Sequence, residues 1–312
     1  MSGFRVINPG MLSLLQDSGR FGCHRIGLTT GGPLDPQAFA WANRLLGNDP
    51  GSCAIEASFG GLELECQIDT RICVTGATNE LTINGRNVEL WRTWSLRAGD
   101  RVSLGYCTQG CRNYLAVGGG FEAQKIFGSS ATVVREGIGG LDGNKLGAGS
   151  LLPCNPVAIT DDLSLPESAR PSYSNRLEVR VIPGYQYAGF GREQQRRFFA
   201  ADYVVSDRSD RMGYRLEGPS IDSGAREMLS EGICLGAIQI PADGQPIVLL
   251  NDRQTIGGYP KIGSVLSLDA ARVAQLMPGS RVSFTAISHY LAHNELHLDR
   301  ARFLRTAAVG IK

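Results

Sequence analysis

Residues 236–263 read GAIQIPADGQPIVLLNDRQTIGGYPKIG, and this stretch carries the clearest pattern for predicting the fold. Two apolar runs, GAIQI and QPIVLL, flank the turn-forming segment PADG, which is the pattern of a β-hairpin. The segment NDRQTIGGYPKIG then collects charged, amide, hydroxyl and phenol side chains. A polar loop on a β framework is the usual place for a binding site. A long hairpin loop held by its own side chains is the alternative.

Strand signals of the same kind recur along most of the chain. They are short apolar or alternating runs that end at Gly, Pro, Asn or Asp. The chain has 40 glycines, a high share that favours many turns between short strands. We therefore predict a mainly β protein with a few inserted helices. The further strand candidates are RICVTGA (71–77), ELTING (80–85), DRVSLGY (100–106), RNYLAVGGG (112–120), EVRVIPG (178–184) and SVLSLD (264–269).

The clearest helix signal is LDPQAFAWANRLLGND. Asp35 is placed to cap the helix, Pro36 suits its first turn, and Gly47 ends it. Three further helices are predicted at REQQRRFFA (192–200), at DAARVAQLMPG (269–279) after an Asp269 cap, and over residues 288–306.

A weak internal sequence repeat suggests that the chain has two similar halves. LRAGDRVSL (96–104) and LMPGSRVSF (276–284) share one pattern of a turn that enters a strand. Between them, TDDLSLPESARPSYSN (160–175) is rich in Ser and Pro and is the best candidate linker. We divide the chain into an N-terminal β-barrel-like lobe, a C-terminal β-barrel lobe and a C-terminal helix, at residues 1–170, 171–287 and 288–312.

Charge and composition limit the kinds of partner. Lys plus Arg number 31 and Asp plus Glu number 30, whereas nucleic-acid and anionic-membrane surfaces need a basic excess. The segment MSGFRVINPG lacks a signal-peptide pattern, and no run approaches the roughly 20 apolar residues of a membrane span. We expect a cytoplasmic protein. The eight cysteines form no C-x-x-C motif and are expected to be buried free thiols.

Nucleotide and metal motifs are not supported by the sequence. GIGGLDGNKLG (137–147) departs from both G-x-G-x-x-G and the P-loop pattern, which leaves a glycine-rich loop as the interpretation. His289, His293 and His297 follow one another at four-residue spacing on a predicted helix. Metal chelation by them is chemically possible. Histidines on an exposed helix face are the simpler interpretation, because the H-E-x-x-H pattern is absent.

The segment LLQDSGRFG contains Gln16, Asp17 and Arg20. A turn in which Asp17 accepts backbone N–H groups and pairs with Arg20 explains this composition without a ligand. A role in substrate binding is the alternative, and the residues alone leave both open.

The segment SDRMGYRLEG places Arg211 and Arg215 on either side of Met-Gly-Tyr. Their guanidinium groups could form structural forks to carboxylates or clamp a substrate anion. The residues alone leave both interpretations open here too.

Seven segments together resemble the biotin-dependent carboxyltransferase family. The likeness covers nearly the whole chain to about residue 287 and is most specific at SDRMGYRLEG and DRQTIGGYP. The segments occur in the order expected of the family: QDSGRFG, LDPQAFAWANRLLGND, AIEASFGG, RNYLAVGGG, SDRMGYRLEG, GAIQIPADGQPIVLLNDRQTIGGYPKIG and AQLMPGSRV.

The resemblance implies two cyclophilin-like β-barrel lobes. The family includes the C subunit of prokaryotic 5-oxoprolinase, also called allophanate hydrolase subunit 2-like, which acts with the A and B subunits to open the lactam of 5-oxoproline to L-glutamate. The resemblance therefore implies partners of the 5-oxoprolinase A and B types and a small amide or lactam substrate. ATP, with Mg, would be a cosubstrate, and no covalent cofactor is expected.

The resemblance also leaves two alternative functions. One is a carboxyltransferase subunit that acts on urea or another small amide, with biotin carried by separate proteins. The other is a regulatory protein that binds a kinase inhibitor.

The residue roles are hypotheses from side-chain chemistry combined with the resemblance. Opening a lactam by phosphorylation of its oxygen requires donors for anionic oxygens and an acceptor for the amide N–H. Arg211 and Lys261 are assigned to anion neutralisation. Asp252 and Gln239 are assigned to binding the amide or positioning water.

Tyr259 and the backbone of the glycine pair that precedes it are expected to orient the substrate. The predicted catalytic residues are Asp252, Tyr259 and Arg211. No metal ligand is predicted. The predicted substrate-binding residues are Gln239, Gln254, Thr255, Gly257, Gly258, Lys261, Gln16, Asp17 and Arg20.

Overall fold

The computed structural model describes residues 3–158, 162–224 and 228–311. Within these residues the chain forms twenty-two β-strands and four α-helices, so the mainly β prediction is confirmed. Residues 160 and 161, at the start of the predicted linker, lie outside the described residues.

The first twelve strands precede residue 165. They are β1 (Gly3–Pro9), β2 (Leu12–Gln16), β3 (Ala54–Ser58), β4 (Leu62–Cys66), β5 (Thr70–Thr78), β6 (Leu81–Ile83), β7 (Arg86–Val88), β8 (Thr93–Leu96), β9 (Arg101–Leu104), β10 (Gln109–Val117), β11 (Leu151–Pro153) and β12 (Asp162–Ser164).

The remaining ten strands follow residue 175. They are β13 (Arg176–Pro183), β14 (Asp202–Val205), β15 (Gly213–Glu217), β16 (Glu231–Gly232), β17 (Ala237–Gln239), β18 (Ile247–Leu249), β19 (Ile256–Gly257), β20 (Lys261–Val265), β21 (Arg281–Ala286) and β22 (Val309–Ile311). The helices are α1 (Pro36–Leu45), α2 (Arg192–Ala200), α3 (Ser267–Val273) and α4 (His289–Arg305).

The chain divides into two compact units. The first unit contains Met1–Phe21, Thr30–Tyr173 and Thr306–Lys312, and the second contains Gly22–Thr29 and Ser174–Arg305. Each unit has its own sheets.

The first unit is built on two larger sheets. One has the strand order β11-β1-β4-β9-β6-β7 and the other β2-β3-β10-β5-β8. Strands of both sheets contribute to one apolar core, in which Phe4, Leu64, Ile72 and Leu115 are fully buried. Burying each such side chain stabilises the fold by about 1.5–3 kcal/mol, so the core holds the two sheets of this unit together.

Helix α1 begins where the sequence predicts. The Asp35 carboxylate accepts a hydrogen bond of 3.0 Å from the backbone N–H of Ala38, and Pro36 occupies the first turn. Gly47 follows the helix in a left-handed conformation, with φ of 70°. The capping prediction is therefore confirmed.

The second unit contains a closed seven-stranded barrel. Its strand order is β13-β20-β17-β18-β15-β14-β21. The β17–β18 pair is the hairpin predicted from GAIQI and QPIVLL, and it is confirmed. Its turn closes with a hydrogen bond of 2.9 Å from the Gly244 N–H to the Pro241 carbonyl.

The run SVLSLD, predicted as a strand, is divided in the structure. Strand β20 ends at Val265 and α3 starts at Ser267. Asp269 is therefore inside the first turn of α3 and does not cap it, which corrects the prediction. The physical reason is Arg180, whose backbone N–H and guanidinium donate three hydrogen bonds of 2.8 Å to the Asp269 carboxylate.

The C-terminal segment 288–312 is helical only up to Arg305. After α4, residues 309–311 pair as β22 with β12 in the antiparallel sense. Strand pairing of this last segment is the reason that the helix does not continue through the predicted range.

Candidate active site

Most of the predicted site residues lie on β17, on β20 and on the loop that joins β18 to β20. This loop follows the confirmed hairpin and includes the two-residue strand β19, which pairs with β16. Because β17 lies between β18 and β20 in the barrel, the hairpin brings both ends of the loop close to β17.

Arg211 and Asp252 form a bidentate ion pair. The Arg211 Nε donates to Asp252 Oδ2 at 2.8 Å, and its Nη2 donates to Oδ1 at 3.0 Å. Each residue is only 5% exposed, and the Asp252 N–H also donates to the Arg211 carbonyl at 3.0 Å. The sequence assigns Arg211 to a substrate anion. The structure adds that its charge is already matched by Asp252.

Arg253 has a structural position that the sequence did not single out. Its guanidinium donates to the carbonyls of Ile233 and Leu250, each at 3.2 Å. Burial lowers the pKa of Arg253 below its ordinary value. Together with the Arg211–Asp252 pair, this side chain ties the start of the loop to the barrel.

Gln239 presents an unsatisfied donor. The residue is 1% exposed, and its Oε1 accepts a hydrogen bond of 3.4 Å from Gln254 Nε2. Its own Nε2 is buried and has no hydrogen-bond acceptor among the described residues. A buried amide donor without a partner costs free energy, and an acceptor from a bound ligand would remove that cost.

Gly257 packs closely against that donor. A Cβ atom at this position would lie 2.9 Å from Gln239 Nε2 and 2.5 Å from Ile233 Cδ1. The glycine is therefore required for room and not for an unusual φ, since Gly257 is not among the positive-φ residues. The room is needed for the chain's own side chains, and the predicted approach of a ligand to the Gly257-Gly258 backbone stays a prediction.

Lys261 lies on the same side of the sheet as Gln239, because the two are directly paired across β17 and β20. Its ammonium group donates to Glu231 Oε1. Its backbone N–H donates to Gln186 Oε1 at 2.6 Å. Lys261, like Arg211, therefore carries a carboxylate partner of its own.

Glu231 is a site residue that the sequence did not predict. Its carboxylate accepts hydrogen bonds from Lys261, from Gln186 Nε2 and from the Tyr185 hydroxyl. It is directly paired with Gly257 across β16 and β19. A single glutamate in a polar segment has no sequence pattern of its own, so only the pairing of these two-residue strands indicates its position.

The remaining predicted residues of the loop have different surroundings. The Thr255 carbonyl accepts a hydrogen bond of 3.0 Å from the Ile233 N–H, which holds the loop backbone. Tyr259 is 49% exposed. A Cβ on Gly258 would meet Met228 and Ser230 atoms at 3.3 and 3.5 Å. The roles predicted for these residues stay predictions.

Gln16, Asp17 and Arg20 belong to the first unit and hold a different segment. The Asp17 carboxylate accepts four hydrogen bonds, from the Gly19 N–H and from groups of Ser129 and Ser130. Gln16 Nε2 donates to the Thr132 carbonyl at 2.9 Å, and its Oε1 accepts from the backbone N–H of residue 32. This cluster fixes residues 126–132.

Arg20 does not pair with Asp17, which corrects the structural explanation offered for this turn. Its guanidinium donates to the carbonyls of Ile126, Ser129 and Ala131 at 3.0–3.3 Å. The residue is fully buried, and its Nη1 has no partner among the described residues. Asp17 is saturated by Ser129 and Ser130, so the backbone carbonyls are the remaining acceptors for the guanidinium.

His289, His293 and His297 are exposed on α4. Across residues 3–158, 162–224 and 228–311, no three His, Cys, Asp or Glu side chains form a group that could hold a metal ion. In the same residues no helix is both long and apolar enough to cross a membrane.

The comparisons with known proteins establish the family. Residues 26–286 match the family described as carboxyltransferase domain, subdomain A and B. The chain belongs to this family, which confirms the resemblance seen in the sequence.

Two curated relatives match almost the whole chain. The chain is 37% identical over 287 residues to the C subunit of 5-oxoprolinase from Escherichia coli (strain K12), covering 91% of each protein. It is 36% identical over 303 residues to the C subunit of 5-oxoprolinase from Haemophilus influenzae, covering 95% of this chain and 97% of the relative.

A solved structure of a larger protein is also similar. The urea amidolyase of K. lactis matches with a TM-score of 0.88 and 28% sequence identity, over 96% of this chain. This chain spans only 20% of that protein.

The arrangement defines what the second unit can do chemically. Its cations Arg211 and Lys261 have carboxylate partners, while the Gln239 amide has an unused donor beside Gly257. A free amide donor between paired charges suits the neutral carbonyl group of an amide, lactam or urea, because that group brings an acceptor oxygen without a full charge.

Proposed function

We propose that this chain is the C subunit of an ATP-dependent 5-oxoprolinase that opens the lactam of 5-oxoproline to L-glutamate. Two relatives with this name match it over nearly their full length. The proposal therefore includes protein partners of the 5-oxoprolinase A and B types. The catalytic type is that of an amide hydrolase whose reaction is coupled to ATP hydrolysis.

The observation that carries the chemical part of the proposal is the buried, unpartnered Nε2 of Gln239. Its position beside Gln254 and Gly257 suits the oxygen of a lactam carbonyl. A donor that meets its acceptor only when substrate arrives contributes binding energy without competition from the protein itself.

The reaction requires water to add to the lactam carbon and the ring C–N bond to break, with the nitrogen leaving as an amine that gains a proton. Negative charge develops on the carbonyl oxygen as the carbon becomes tetrahedral. We assign Gln239 and the Lys261 ammonium to stabilising that oxygen. Thr255, Tyr259 and the Gly257-Gly258 backbone are proposed to orient the substrate.

Arg211 and Asp252 receive a revised role in this proposal. Their bidentate pair fixes the loop that carries Gln254 and Gly257, so both act on substrate through that loop. Gln16, Asp17 and Arg20 stay in the proposal as the cluster that shapes residues 126–132 of the first unit.

Magnesium ATP is assigned to the partner proteins. No nucleotide-binding motif is present in this sequence, and no metal-binding side-chain group occurs in the part of the chain that the structure describes.

A second function is favoured by the structural match to urea amidolyase. The chain would then act as a carboxyltransferase subunit for urea or another small amide, with carboxybiotin supplied by a separate protein. Gln239 would donate to the ligand in the same way, because urea also presents a neutral carbonyl oxygen.

The test is copurification of the chain with its partner proteins, followed by assay of glutamate release from 5-oxoproline with and without ATP. Gln239→Leu should lower this release strongly, while Gln124→Leu, at an exposed side chain, should leave it unchanged. Biotin-dependent carboxylation of urea without glutamate release would replace the first function by the second.

A further inference from the structure

Glu231 is held by three donors from two other segments of the chain. The Tyr185 hydroxyl donates to Oε2, whereas Gln186 Nε2, at 2.6 Å, and the Lys261 ammonium both donate to Oε1. The carboxylate is therefore fixed on both oxygens, although its side chain is 30% exposed.

Gln186 joins Glu231 and Lys261 a second time. Its Oε1 accepts from the Lys261 N–H at 2.6 Å, while its Nε2 donates to Glu231 and, at 3.0 Å, to the Tyr185 oxygen. One amide thus orients both the backbone of the lysine and the partner of its ammonium. The Lys261 side chain is only 11% exposed, so little freedom is left to it.

Strand pairing places this network next to the Gln239 amide. Lys261 is paired with Gln239, and Glu231 is paired with Gly257. Gly257 in turn adjoins the unpartnered Gln239 Nε2. The four residues are therefore neighbours in a closed ring, in which the side chain of Glu231 binds that of Lys261.

We propose that Glu231 is a positioning residue of the site, which holds the Lys261 ammonium beside the Gln239 amide so that both donors address one substrate oxygen. Tyr185 and Gln186 support Glu231 in this role. A long lysine side chain has many conformations, and misplacement of a catalytic donor by about 1 Å can lower the rate on the order of a hundredfold. The kinetic part of this inference rests on the proposed function.

Labelling of Lys261 tests the contact without any assay of activity. The isolated full-length chain is treated with a water-soluble amine-acylating reagent, and peptide mass spectrometry follows Lys261 separately from Lys125 and Lys145. Lys261 is expected to react several times faster in Glu231→Ala than in the parent chain. Glu193→Gln is the matched control, because this glutamate pairs with Arg197 on the surface of α2. An unchanged Lys261 rate in Glu231→Ala would overturn the proposal.

Kinetics of the reconstituted complex test the consequence for the reaction. Glu231→Ala should lower kcat about 10- to 100-fold with a much smaller change in KM, since the substrate still meets Gln239. Added formate should restore part of the lost rate, because a small carboxylate can occupy the vacated position. A loss of kcat that formate does not restore, accompanied by a loss of folded stability, contradicts the positioning role.

The two readouts separate this inference from the function on which it rests. If the parent complex releases no glutamate, the proposed function fails while the labelling result still decides the Glu231–Lys261 contact. If the parent complex is active and Lys261 labelling does not respond to Glu231, only the further inference fails.

Discussion

The Arg211 guanidinium donates two hydrogen bonds, of 2.8 and 3.0 Å, to the two carboxylate oxygens of Asp252. The pair joins the residues just before β15 to the loop after β18. Both groups are buried. Each one therefore compensates the charge of the other, which would be unfavourable in the protein interior if it were unpaired.

Asp252→Ala is therefore expected to destabilise the chain. Removing one member of a buried ion pair costs about 3–5 kcal/mol, and urea unfolding of the single and double variants with Arg211→Met measures it. We expect the double variant to be more stable than Asp252→Ala alone, because no unpaired guanidinium is left. If the double variant were as unstable as Asp252→Ala alone, the Arg211–Asp252 ion pair would not be the dominant interaction of these two residues.

Asp17→Asn tests the cluster in the first unit. The Asp17 carboxylate accepts from four donors, at 2.5–3.1 Å. An amide offers one acceptor oxygen in place of two, and hydrogen bonds to a charged group contribute about 1.5–3 kcal/mol each. We expect a loss of folding free energy in this range or above, measured by urea unfolding. Asp142→Asn, at an exposed aspartate of the same unit, should have little effect.

The cysteines predict a distinct labelling pattern. Cys234 is exposed, whereas Cys53, Cys66, Cys107 and Cys154 are buried. Burial raises the pKa of Cys66 to about 11 and those of Cys53, Cys107 and Cys154 to about 12. An aromatic disulfide reagent at pH 8 should react fastest with Cys234, more slowly with the half-buried Cys23, and Cys234→Ser should remove the fastest phase. Fast reaction of several thiols in the folded variant would contradict the burial of these side chains.

The same pKa shifts predict a pH dependence of stability. A thiol whose folded pKa is raised above its ordinary value of 9.0 stabilises the folded state fully below pH 9. Above that pH the unfolded chain loses protons first, so stability falls as the pH rises from 9 towards 11–12. Thermal unfolding between about pH 8 and pH 11 measures this fall, and replacing buried thiols by Ala should reduce the slope.

Local patterns predicted the elements that local interactions determine. The β17–β18 hairpin follows from two apolar runs around a Pro- and Gly-containing turn, and α1 begins at the Asp35 cap. Asp269 carries the same capping signal, yet its carboxylate is bound by Arg180 from 89 residues away in the chain. A strong tertiary ion pair thus overrides a local signal.

The candidate site could be predicted only in part for the same reason. Gln239, Gln254 and Lys261 lie in one polar stretch with its hairpin, so the sequence brings them together. Glu231 precedes Lys261 by 30 residues and reaches it through β16 and β19. Two-residue strands have no periodic pattern, so the contact between Glu231 and Lys261 could not be predicted from the sequence. The pairing of Arg211 with Asp252 joins two residues far apart in the chain, and it could not be predicted either.

Gly257→Ala is the sharpest test of the role proposed for the Gln239 amide. The added methyl group would lie 2.5 Å from Ile233 Cδ1 and 2.9 Å from Gln239 Nε2, so both side chains must move. Overpacking of this kind costs about 1–3 kcal/mol, and the displaced amide can no longer donate to the substrate. We expect the variant to fold and its KM for the small amide substrate to rise at least about tenfold, the equivalent of about 1.4 kcal/mol of lost binding.

Gly189→Ala is the control, because a Cβ there meets no atom within 4 Å. If Gly257→Ala kept the parent KM while a crystal structure showed the Gln239 amide displaced by the methyl group, this amide would not bind the substrate.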